Sequence, residues 1–370
     1  MPTQQMTAQQ NQFLKYDSSV EKIQPNEQQV FEELAASVRS ISEKIGDQFR
    51  HTMRPLHAKS HGLLKAELTL HAPSEPYQQG LFTKLATYPA IIRLSTTPGD
   101  ILPDSISAPR GWAMKVVGVE GFPMLPGHDG QVTQDFVFVN GPVFGAPNAE
   151  EFLKLLKLLE KHSTDSAALK QVVSTTARTL ETAFGLVGGE SGKLKSVGHP
   201  ETHILGETFF SQAALRYGDY VAKICVAPAS DNLKALTGKH LDHSKYSALR
   251  DAVVEFFKTE QAEWEVKVQL ATDLAKMPVE DASVRWPEDE SAYVPVGRLV
   301  AKPQNAYSAE RRIFVDELLS FSPWHGLLAH QPLGSVMRAR KAAYSIAASY
   351  RRTQEQRPMI EPKSISELPN

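Results

Sequence analysis

The order of strand-like and helical segments is the sequence feature that most limits how this chain can fold. Short runs rich in apolar and β-branched residues, bounded by glycine, proline and polar residues, predict strands on both sides of the middle of the chain. The middle itself has apolar residues at helical spacing. Strands on both sides of a helical insertion indicate an α+β fold rather than alternating βαβ units. The predicted strands are 65–70, 90–96, 112–119, 135–140, 220–227, 264–272 and 297–301.

The two ends of the chain are predicted to be tails around one folded domain. Residues 1–25 are polar and rich in glutamine, so we expect a flexible N-terminal tail. A helix is predicted to begin after Asn26, and the prolines and polar groups near the end predict a C-terminal tail at 355–370. The folded domain is therefore expected to span 26–354. Further helices are predicted after Asn148, a capping residue, and at 167–186 and 249–258.

Composition excludes several classes of function. The chain has 370 residues, 41% of them hydrophobic, and a formal net charge of −2, which gives no electrostatic case for a nucleic-acid or membrane partner. No apolar run is long enough to span a membrane, and no secretory signal is expected at the N-terminus. Cys225 is the only cysteine, which excludes an internal disulfide, thiolate zinc clusters and iron–sulfur centres. We therefore expect a cytoplasmic protein.

Arg340 and Tyr344 lie four residues apart in a basic segment that is predicted to be helical. Side chains at this spacing share one face of a helix and can meet. A guanidinium beside a phenol favours the charged phenolate, because a nearby cation stabilises an anion. Phenolate oxygen is an uncommon but strong axial ligand for ferric haem. For this pair alone, an exposed basic helix with a half-buried tyrosine is the simpler interpretation.

A second group of residues could act on, or bind, the other parts of such a cofactor. His57 lies in an extended segment, where a histidine is usually structural; above a haem, however, it could take a proton from bound peroxide and return it. Arg93 in an apolar strand needs an anion, which is either a carboxylate or a haem propionate. Arg351 lies about two helical turns after Tyr344, so Arg54, Arg93 and Arg351 form a candidate set of anion-binding arginines.

Two other patterns give weaker predictions. His199 and His203 have a spacing that could bind zinc, but Pro200 disfavours a helix between them and no third ligand is evident. No glycine-rich phosphate loop follows a predicted strand, and the glycines of 187–192 are better interpreted as a turn. Nucleotide binding is therefore not predicted.

Taken together, these segments resemble the haem catalase superfamily, and in particular its small catalase-related peroxidases. The resemblance covers about residues 50–352, and six motifs in one order are far more specific than any single motif. The matching segments are His57-Ala58-Lys59, Arg93-Leu94-Ser95-Thr96, Pro109-Arg110-Gly111-Trp112-Ala113-Met114-Lys115, Val284-Arg285-Trp286-Pro287, Pro295-Val296-Gly297-Arg298-Leu299-Val300 and Arg340 to Tyr344.

The resemblance implies a role for each matching residue. His57 would be the distal catalytic histidine, and Ser95 would orient it through a hydrogen bond. Tyr344 would ligate the iron, and Arg340 would keep that tyrosine a phenolate. The remaining matches would contact the haem: Arg54, Arg93 and Arg351 at the propionates, Leu56 packed over the ring, and Phe144 as an aromatic residue near the distal face.

The sequence departs from the superfamily at the distal asparagine. That residue is expected near 132–135, where no asparagine stands, and Asn140 comes several residues late. Thr133 or Gln134 is therefore the expected substitute that polarises peroxide. This departure weakens the case for efficient disproportionation of hydrogen peroxide. Because the sequence stops soon after the predicted proximal helix, we expect neither the N-terminal arm extension nor the C-terminal domain of large catalases, and dinucleotide binding is not inferred.

The implied fold is an antiparallel β-barrel with surrounding helices, with haem b and its ferric iron between the barrel and the proximal helix. The implied function is a haem-dependent peroxidase that reduces hydrogen peroxide or organic hydroperoxides with a small-molecule electron donor, with some weak catalase activity. A homo-oligomer is compatible with the resemblance. The alternative is a haem-dependent isomerase or dehydratase of fatty-acid hydroperoxides, but those enzymes carry a threonine before the distal histidine, where this chain has Leu56. A haem-binding storage or sensor protein is the third hypothesis.

Overall fold

The structure is a computed structural model that describes residues 13–106, 108–163 and 202–370. Within these ranges the chain forms strands and helices in the order that the sequence predicts. The strands are β1 (Lys59–Leu70), β2 (Thr87–Thr96), β3 (Arg110–Val117), β4 (Thr133–Val139), β5 (Phe209–Phe210), β6 (Leu215–Tyr217), β7 (Tyr220–Pro228), β8 (Ala262–Leu270) and β9 (Val294–Ala301). The helices are α1 (Glu27–Phe49), α2 (Ala149–His162), α3 (Asp231–Lys234), α4 (Ala248–Phe257), α5 (Ala309–Arg312) and α6 (Ser335–Glu355).

Eight of these strands close into an antiparallel barrel. The strands pair in the order β4, β3, β2, β1, β9, β8 and β7, and the two residues of β5 pair with both β4 and β7. Phe210 lies opposite Val139 on one side and opposite Cys225 on the other, which joins the two ends of the sheet. Strand β6 extends β7 outside this ring. The predicted α+β fold with an antiparallel barrel is confirmed.

Alternation along the strands separates the barrel core from its outer face. On β2, Ala90, Ile92 and Leu94 belong to the core, where Trp112 of β3 packs edge-on against Trp264 at 4.9 Å. Because successive side chains of a strand point to opposite faces, the residues between them point outward. The polar side chains of β2 therefore lie on the outside of the barrel, facing the helices.

Three helices cover that outer face. Helices α1, α2 and α6 share an apolar cluster, to which each contributes one stripe at helical spacing. The predicted cap of α2 forms, since Asn148 Oδ1 accepts a hydrogen bond from the backbone of Glu151 at 3.1 Å. The predicted helix at 167–186, and the predicted turn at 187–192, lie outside the described residues. The buried members of the cluster include Val30, Leu34, Val38, Ile41, Phe152, Leu156, Ala339 and Ala343.

The described parts of the two predicted tails pack on the barrel, which differs from the expectation. The backbone of Leu14 bonds to Ala271, and Val20 is buried. At the other end, Leu368 is buried, and Glu361 pairs with Lys115 at 2.6 Å. These segments are ordered because a few apolar residues are buried among the polar ones. None of the described helices is both long and apolar enough to cross a membrane.

Candidate functional site

A cleft lies between the outer face of β2, β3 and β4 and the helices α1, α2 and α6. Eight of the eleven predicted site residues line the cleft: Arg54, Leu56, His57, Arg93, Ser95, Arg340, Tyr344 and Arg351. The other lining residues are Val38, Pro55, Gly111, Trp112, Ala113, Val137, Phe138, Phe152, Ser320, Phe321, Ala343, Ala347 and Ala348.

Helix α6 presents a tyrosine and an arginine as a pair on one wall of the cleft. Nη2 of Arg340 donates a hydrogen bond of 2.8 Å to Oη of Tyr344. The guanidinium also lies 5.3 Å from the centre of the phenol ring, and Nη1 contacts Sδ of Met337 at 3.2 Å. These contacts fix the guanidinium, which is buried, in one position. A charge-assisted hydrogen bond at this oxygen favours the phenolate form.

The opposite wall presents His57 in a tightly fitted place. Its Nδ1 lies 3.3 Å from Oγ of Ser95 on β2. Gly111 of the neighbouring strand faces the ring so closely that an added Cβ would lie 2.6 Å from Nδ1 and 2.7 Å from Cε1. His57 also has a left-handed backbone, with φ of 55°. Strand β2 thus provides a hydrogen-bond partner for this imidazole, and Gly111 of β3 leaves the space that the ring occupies.

The environment of His57 keeps its imidazole neutral. Burial, and then the charges of Arg93 and Arg340, lower the pKa of His57 from 6.5 to about 3. When Nδ1 donates its proton to Ser95, Nε2 has a free lone pair. In this tautomer the neutral imidazole can accept a hydrogen bond at Nε2 from a molecule in the cleft.

The arginines at the end of the cleft are held by a wide helical turn, Ile313–Leu318, that follows α5. In this π-helical turn several carbonyl groups lack helical partners and accept bonds from side chains instead. Arg54 donates to the carbonyls of Val315, Asp316 and Leu319, at 2.9, 2.7 and 3.0 Å. Arg351 donates to Leu319 at 3.2 Å. The turn therefore gathers arginines that come from distant parts of the sequence.

Asp316 of the same turn is a functional candidate that sequence reasoning missed. Its Oδ1 accepts from Nε of Arg93 at 2.7 Å and lies 3.3 Å from Nη1 of Arg54, while its Oδ2 accepts from Ser60 at 2.6 Å. Although burial acts to raise it, the net effect of the two arginines and these hydrogen bonds lowers the pKa of Asp316. No sequence pattern marks this residue, because an aspartate in a short helical segment normally predicts a solvated surface.

Arg54, Arg93 and Arg351 form a group of like charges at one end of the cleft. The carboxylate of Asp316 pairs with Arg54 and Arg93, and the charges of Asp316 and Glu317 both act on Arg351. Burial and then the charge of Arg93 lower the pKa of Arg351 to about 10, and burial lowers the pKa of Arg54 well below its usual value. An anion bound at this end of the cleft would stabilise the charged form of these arginines.

Thr133 and Gln134 do not lie at the cleft, and the expectation that one of them replaces the distal asparagine is wrong in its geometry. Thr133 has the outward orientation of Val137 but stands four residues earlier on β4, about 13 Å away along a strand. Its Oγ1 pairs with Nε2 of His325 at 2.6 Å. Gln134 has the opposite orientation, and its Oε1 accepts from the backbone of Leu327 at 2.8 Å. Val137 is the β4 residue that faces the cleft on this side.

Phe144 also lies outside the cleft. Its ring packs edge-on against Phe152 at 5.1 Å, and Phe152 is the residue that lines the cleft. Sequence reasoning missed Phe152 because it belongs to the apolar stripe of α2, where a core role is the ordinary expectation. Of the weak zinc candidates, His199 lies outside the described residues, and Nδ1 of His203 accepts from the backbone of Leu205 at 3.3 Å.

Comparison of the sequence with protein-family profiles and with curated proteins finds no match. Comparison of the structure with solved structures does find relatives. A fungal catalase is 17% identical with a TM-score of 0.60, and the match covers 84% of this chain and 61% of that one. Catalase A from Saccharomyces cerevisiae is 18% identical with a TM-score of 0.61, covering 84% and 64%. A bacterial catalase is 16% identical with a TM-score of 0.56, covering 84% and 60%.

The chain has a catalase-like fold. It spans about three fifths of the length of the catalases that it resembles. At 16–18% identity the likeness establishes the architecture alone. Any function of the catalase-like barrel must therefore be argued from the side chains at its cleft.

The residues present at the cleft fit a haem. A phenol paired with a guanidinium offers an oxygen ligand to ferric iron, and the arginine group offers partners for two carboxylates. Most of the remaining wall is apolar, as a flat porphyrin ring requires. The small side chains of Ala343, Ala347 and Ala348 on α6 leave space beside Tyr344. The donor set and the shape of the catalase-like cleft thus agree on the same cofactor.

Proposed function

We propose that the cleft binds haem b through Tyr344 and that the protein is a haem-dependent peroxidase of hydrogen peroxide or organic hydroperoxides. The observation that carries this proposal is the convergence of two polar pairs on one apolar cleft. Tyr344 with Arg340 lies on the helix side, and His57 with Ser95 lies on the barrel side. An oxygen ligand for iron and a proton acceptor facing one cleft are the two groups that peroxide cleavage on a haem requires.

Each side chain has one task in this proposal. Tyr344 would ligate the iron, and the hydrogen bond from Arg340 would keep its oxygen anionic. Arg54, Arg93 and Arg351 would bind the propionates, while Leu56 would pack over the ring. When bound, the haem would supply a redox-active iron that can give electrons to peroxide and later regain them from a donor.

His57 would move the proton. With haem bound, Nε2 of His57 would accept a proton from a peroxide in the cleft and return it to the oxygen that leaves. Over the whole cycle, two electrons and two protons from the donor would reduce hydrogen peroxide to two molecules of water, or an organic hydroperoxide to an alcohol and water. Ser95 holds Nδ1 at 3.3 Å so that Nε2 stays directed at the substrate.

The wall beside His57 favours reduction by a donor over disproportionation. Among the described residues that line the cleft there is no asparagine or glutamine, and the β4 position facing it is Val137. No side-chain amide on these residues can therefore polarise a second hydrogen peroxide, so we propose only weak catalase activity. The same apolar wall accepts the carbon chain of an organic hydroperoxide. Leu56 adds no hydroxyl beside His57, which favours a peroxidase over an isomerase or dehydratase of fatty-acid hydroperoxides.

The remaining parts of the proposal concern partners. A small-molecule electron donor would return the cofactor to its resting state, and the enzyme would act in the cytoplasm, as a homo-oligomer. These statements extend the proposed chemistry and are tested separately, by steady-state oxidation of dye donors, by cell fractionation and by analytical ultracentrifugation.

The visible spectrum of the purified full chain tests the proposal. We expect a high-spin ferric haem band that disappears in Tyr344→Phe and persists in His57→Ala. We expect His57→Ala to lose reduction of hydrogen peroxide and of cumene hydroperoxide. Tyr350→Phe, on an outer turn of the same helix, is the matched control and should change neither property. An unchanged spectrum in Tyr344→Phe would refute the ligand, and normal turnover in His57→Ala would refute the base.

A further inference from the structure

A chain of hydrogen bonds runs from Asp316 through Arg93 to the backbone of His57. Nε of Arg93 donates to Oδ1 of Asp316 at 2.7 Å. On its other edge, Nη2 of Arg93 donates to the carbonyl oxygens of His57 and Ala58, at 2.8 and 3.2 Å. One guanidinium is thus shared between a carboxylate and the peptide groups that carry the imidazole.

The backbone at His57 needs such support. Its φ of 55° is in the left-handed region, which a residue with a Cβ adopts only when its surroundings hold it there. The carbonyl bonds from Arg93 fix the peptide plane that follows His57, and the backbone of Ala58 is held by a 3.0 Å bond to Pro98. Because the side-chain direction follows from the backbone dihedrals, these bonds also fix where the imidazole lies.

The carboxylate in turn fixes Arg93. An arginine side chain has several rotatable bonds, and Arg93 is buried on the outer face of β2, where it cannot reach bulk water. Asp316 is held on its second oxygen by Ser60, whose strand β1 pairs with β2 directly at Ser95. The same oxygen that binds Arg93 lies 3.3 Å from Arg54. Ser60 and Arg54 therefore fix the carboxylate of Asp316, and the carboxylate holds the guanidinium of Arg93 in place.

The wide turn explains why the carboxylate can lie there. A regular helix would continue its i→i−4 bonds through Asp316, whereas here Leu319 bonds back to Phe314 at 2.9 Å. The added residue in this turn brings the carboxylate and the carbonyl groups of the helix end to the same side. Such single π-helical turns occur frequently at functional sites, because they re-aim one side chain without ending the helix.

We propose that Asp316 is a positioning residue for His57: it holds Arg93, and Arg93 holds the left-handed backbone that directs the imidazole into the cleft. The role of His57 as a base rests on the proposed function, but the geometric link does not. Asp316 touches neither the space over Tyr344 nor the imidazole itself. Among the described residues, Nη1 of Arg93 has no hydrogen-bond partner, so Arg93 can bind a cofactor carboxylate without leaving Asp316.

The first experiment measures His57 directly, on the cofactor-free full chain. Two-bond ¹H–¹⁵N spectra of histidine-labelled protein report the tautomer and titration of each imidazole, and His57→Ala assigns the signal. In Asp316→Asn, which keeps the shape but removes the charge, we expect the His57 signal to shift and to titrate differently from wild type. Glu317→Gln is the matched control, since Glu317 is a buried carboxylate of the same turn that pairs with Arg312 and Arg357 instead.

The second experiment uses the cofactor-loaded chain. We expect Asp316→Asn to keep the haem band and the KM for peroxide within about twofold, and to lose at least tenfold in kcat, the direction that loss of orientation gives. We expect Asp316→Glu, which keeps the charge, to recover part of that loss, and Glu317→Gln to match wild type. An unchanged His57 signal in Asp316→Asn would overturn the link, as would a loss of haem binding without any change at His57. If the chain binds no haem at all, the histidine spectra of the cofactor-free chain still test whether Asp316 positions His57.

Discussion

Arg340 and Tyr344 meet across one turn of α6, where Nη2 of the arginine donates a 2.8 Å hydrogen bond to the phenol oxygen. A charged donor at this oxygen stabilises the phenolate that would bind ferric iron. Hydrogen bonds to charged groups contribute about 1.5–3 kcal/mol, which corresponds to about 10- to 100-fold in affinity. Arg340→Leu is therefore expected to weaken ferric haem binding by that factor, as measured by titration of the cofactor-free chain with haem.

Arg352→Leu is the control for this variant, because Arg352 is exposed on the same helix. Equal affinity in wild type and Arg340→Leu would show that the phenol oxygen gains nothing from its arginine partner. A loss of helix α6 is distinguished by circular dichroism, which should be the same in all three proteins.

Gly111 leaves the space that the imidazole of His57 fills. A Cβ at this position would lie 2.6 Å from Nδ1, closer than carbon and nitrogen can approach without movement. We expect Gly111→Ala to displace the imidazole and to lower kcat for peroxide by about 10²-fold, the effect of misplacing a catalytic group by about 1 Å. The haem spectrum should stay, because Tyr344 is untouched.

Gly46→Ala provides the comparison, since a Cβ there meets only Oγ1 of Thr52, at 3.3 Å, on the outer helix α1. Activity in Gly111→Ala equal to that of Gly46→Ala would mean that the imidazole does not depend on this close fit.

Four of the residues that sequence reasoning placed at the cleft share one property. Arg93, Ser95, Arg340 and Tyr344 belong to segments with strong strand or helix patterns, so the period of each element fixes which way they point. Thr133, Gln134 and Phe144 were assigned by their distance along the chain from an expected position. A shift of one residue turns a strand side chain to the other face. A shift of four residues keeps the face but moves the side chain along the barrel, and this separates Thr133 from Val137.

Asp316 and the wide turn could not be predicted for a different reason. A π-helical turn has no recognisable composition, and its effect depends on the carbonyl groups of Val315 and Leu319 meeting arginines that are far away in sequence. Arg93 was expected to need either a carboxylate or a propionate. The structure shows that it pairs with the carboxylate of Asp316.

Lys115 ties the C-terminal segment to the barrel. It is fully buried and bonds to Asp135 at 2.7 Å and to Glu361 at 2.6 Å. Removing one partner of a buried ion pair leaves the other charge uncompensated, at a cost of about 3–5 kcal/mol. Lys115→Met should therefore lower the free energy of unfolding by that amount in urea denaturation. Lys154→Met removes an exposed pair with Glu151 and should change it by no more than about 0.5 kcal/mol. Similar stability of the two variants would contradict the buried ion pair.

Buried histidines should make the protein sensitive to mild acid. Burial lowers the pKa of His330 to about 3 and that of His203 to about 4, and it lowers the pKa values of His57, His61 and His325 as well. An unfolded chain protonates its histidines below about pH 6.5, whereas the folded chain keeps these five neutral until the pH is lower. The unfolded state therefore binds more protons, and stability falls as the pH decreases from about 6.5 towards 4. Burial also raises the pKa of Asp135, to about 7, and that of Glu207, which opposes this trend with two groups against five.

His330→Gln isolates one of these contributions. The imidazole is enclosed by Phe82, Phe136 and Tyr217, and its Nε2 accepts a 2.9 Å bond from the backbone of Leu81, which a glutamine oxygen can replace. Each such histidine contributes up to about 1.4 kcal/mol per pH unit, so the variant should lose less stability than wild type between pH 6.5 and 5 by up to about 2 kcal/mol. Urea denaturation at four pH values measures the difference. His71→Gln, at an exposed histidine, should keep the wild-type slope. An unchanged slope in His330→Gln would show that this imidazole is protonated in the folded state.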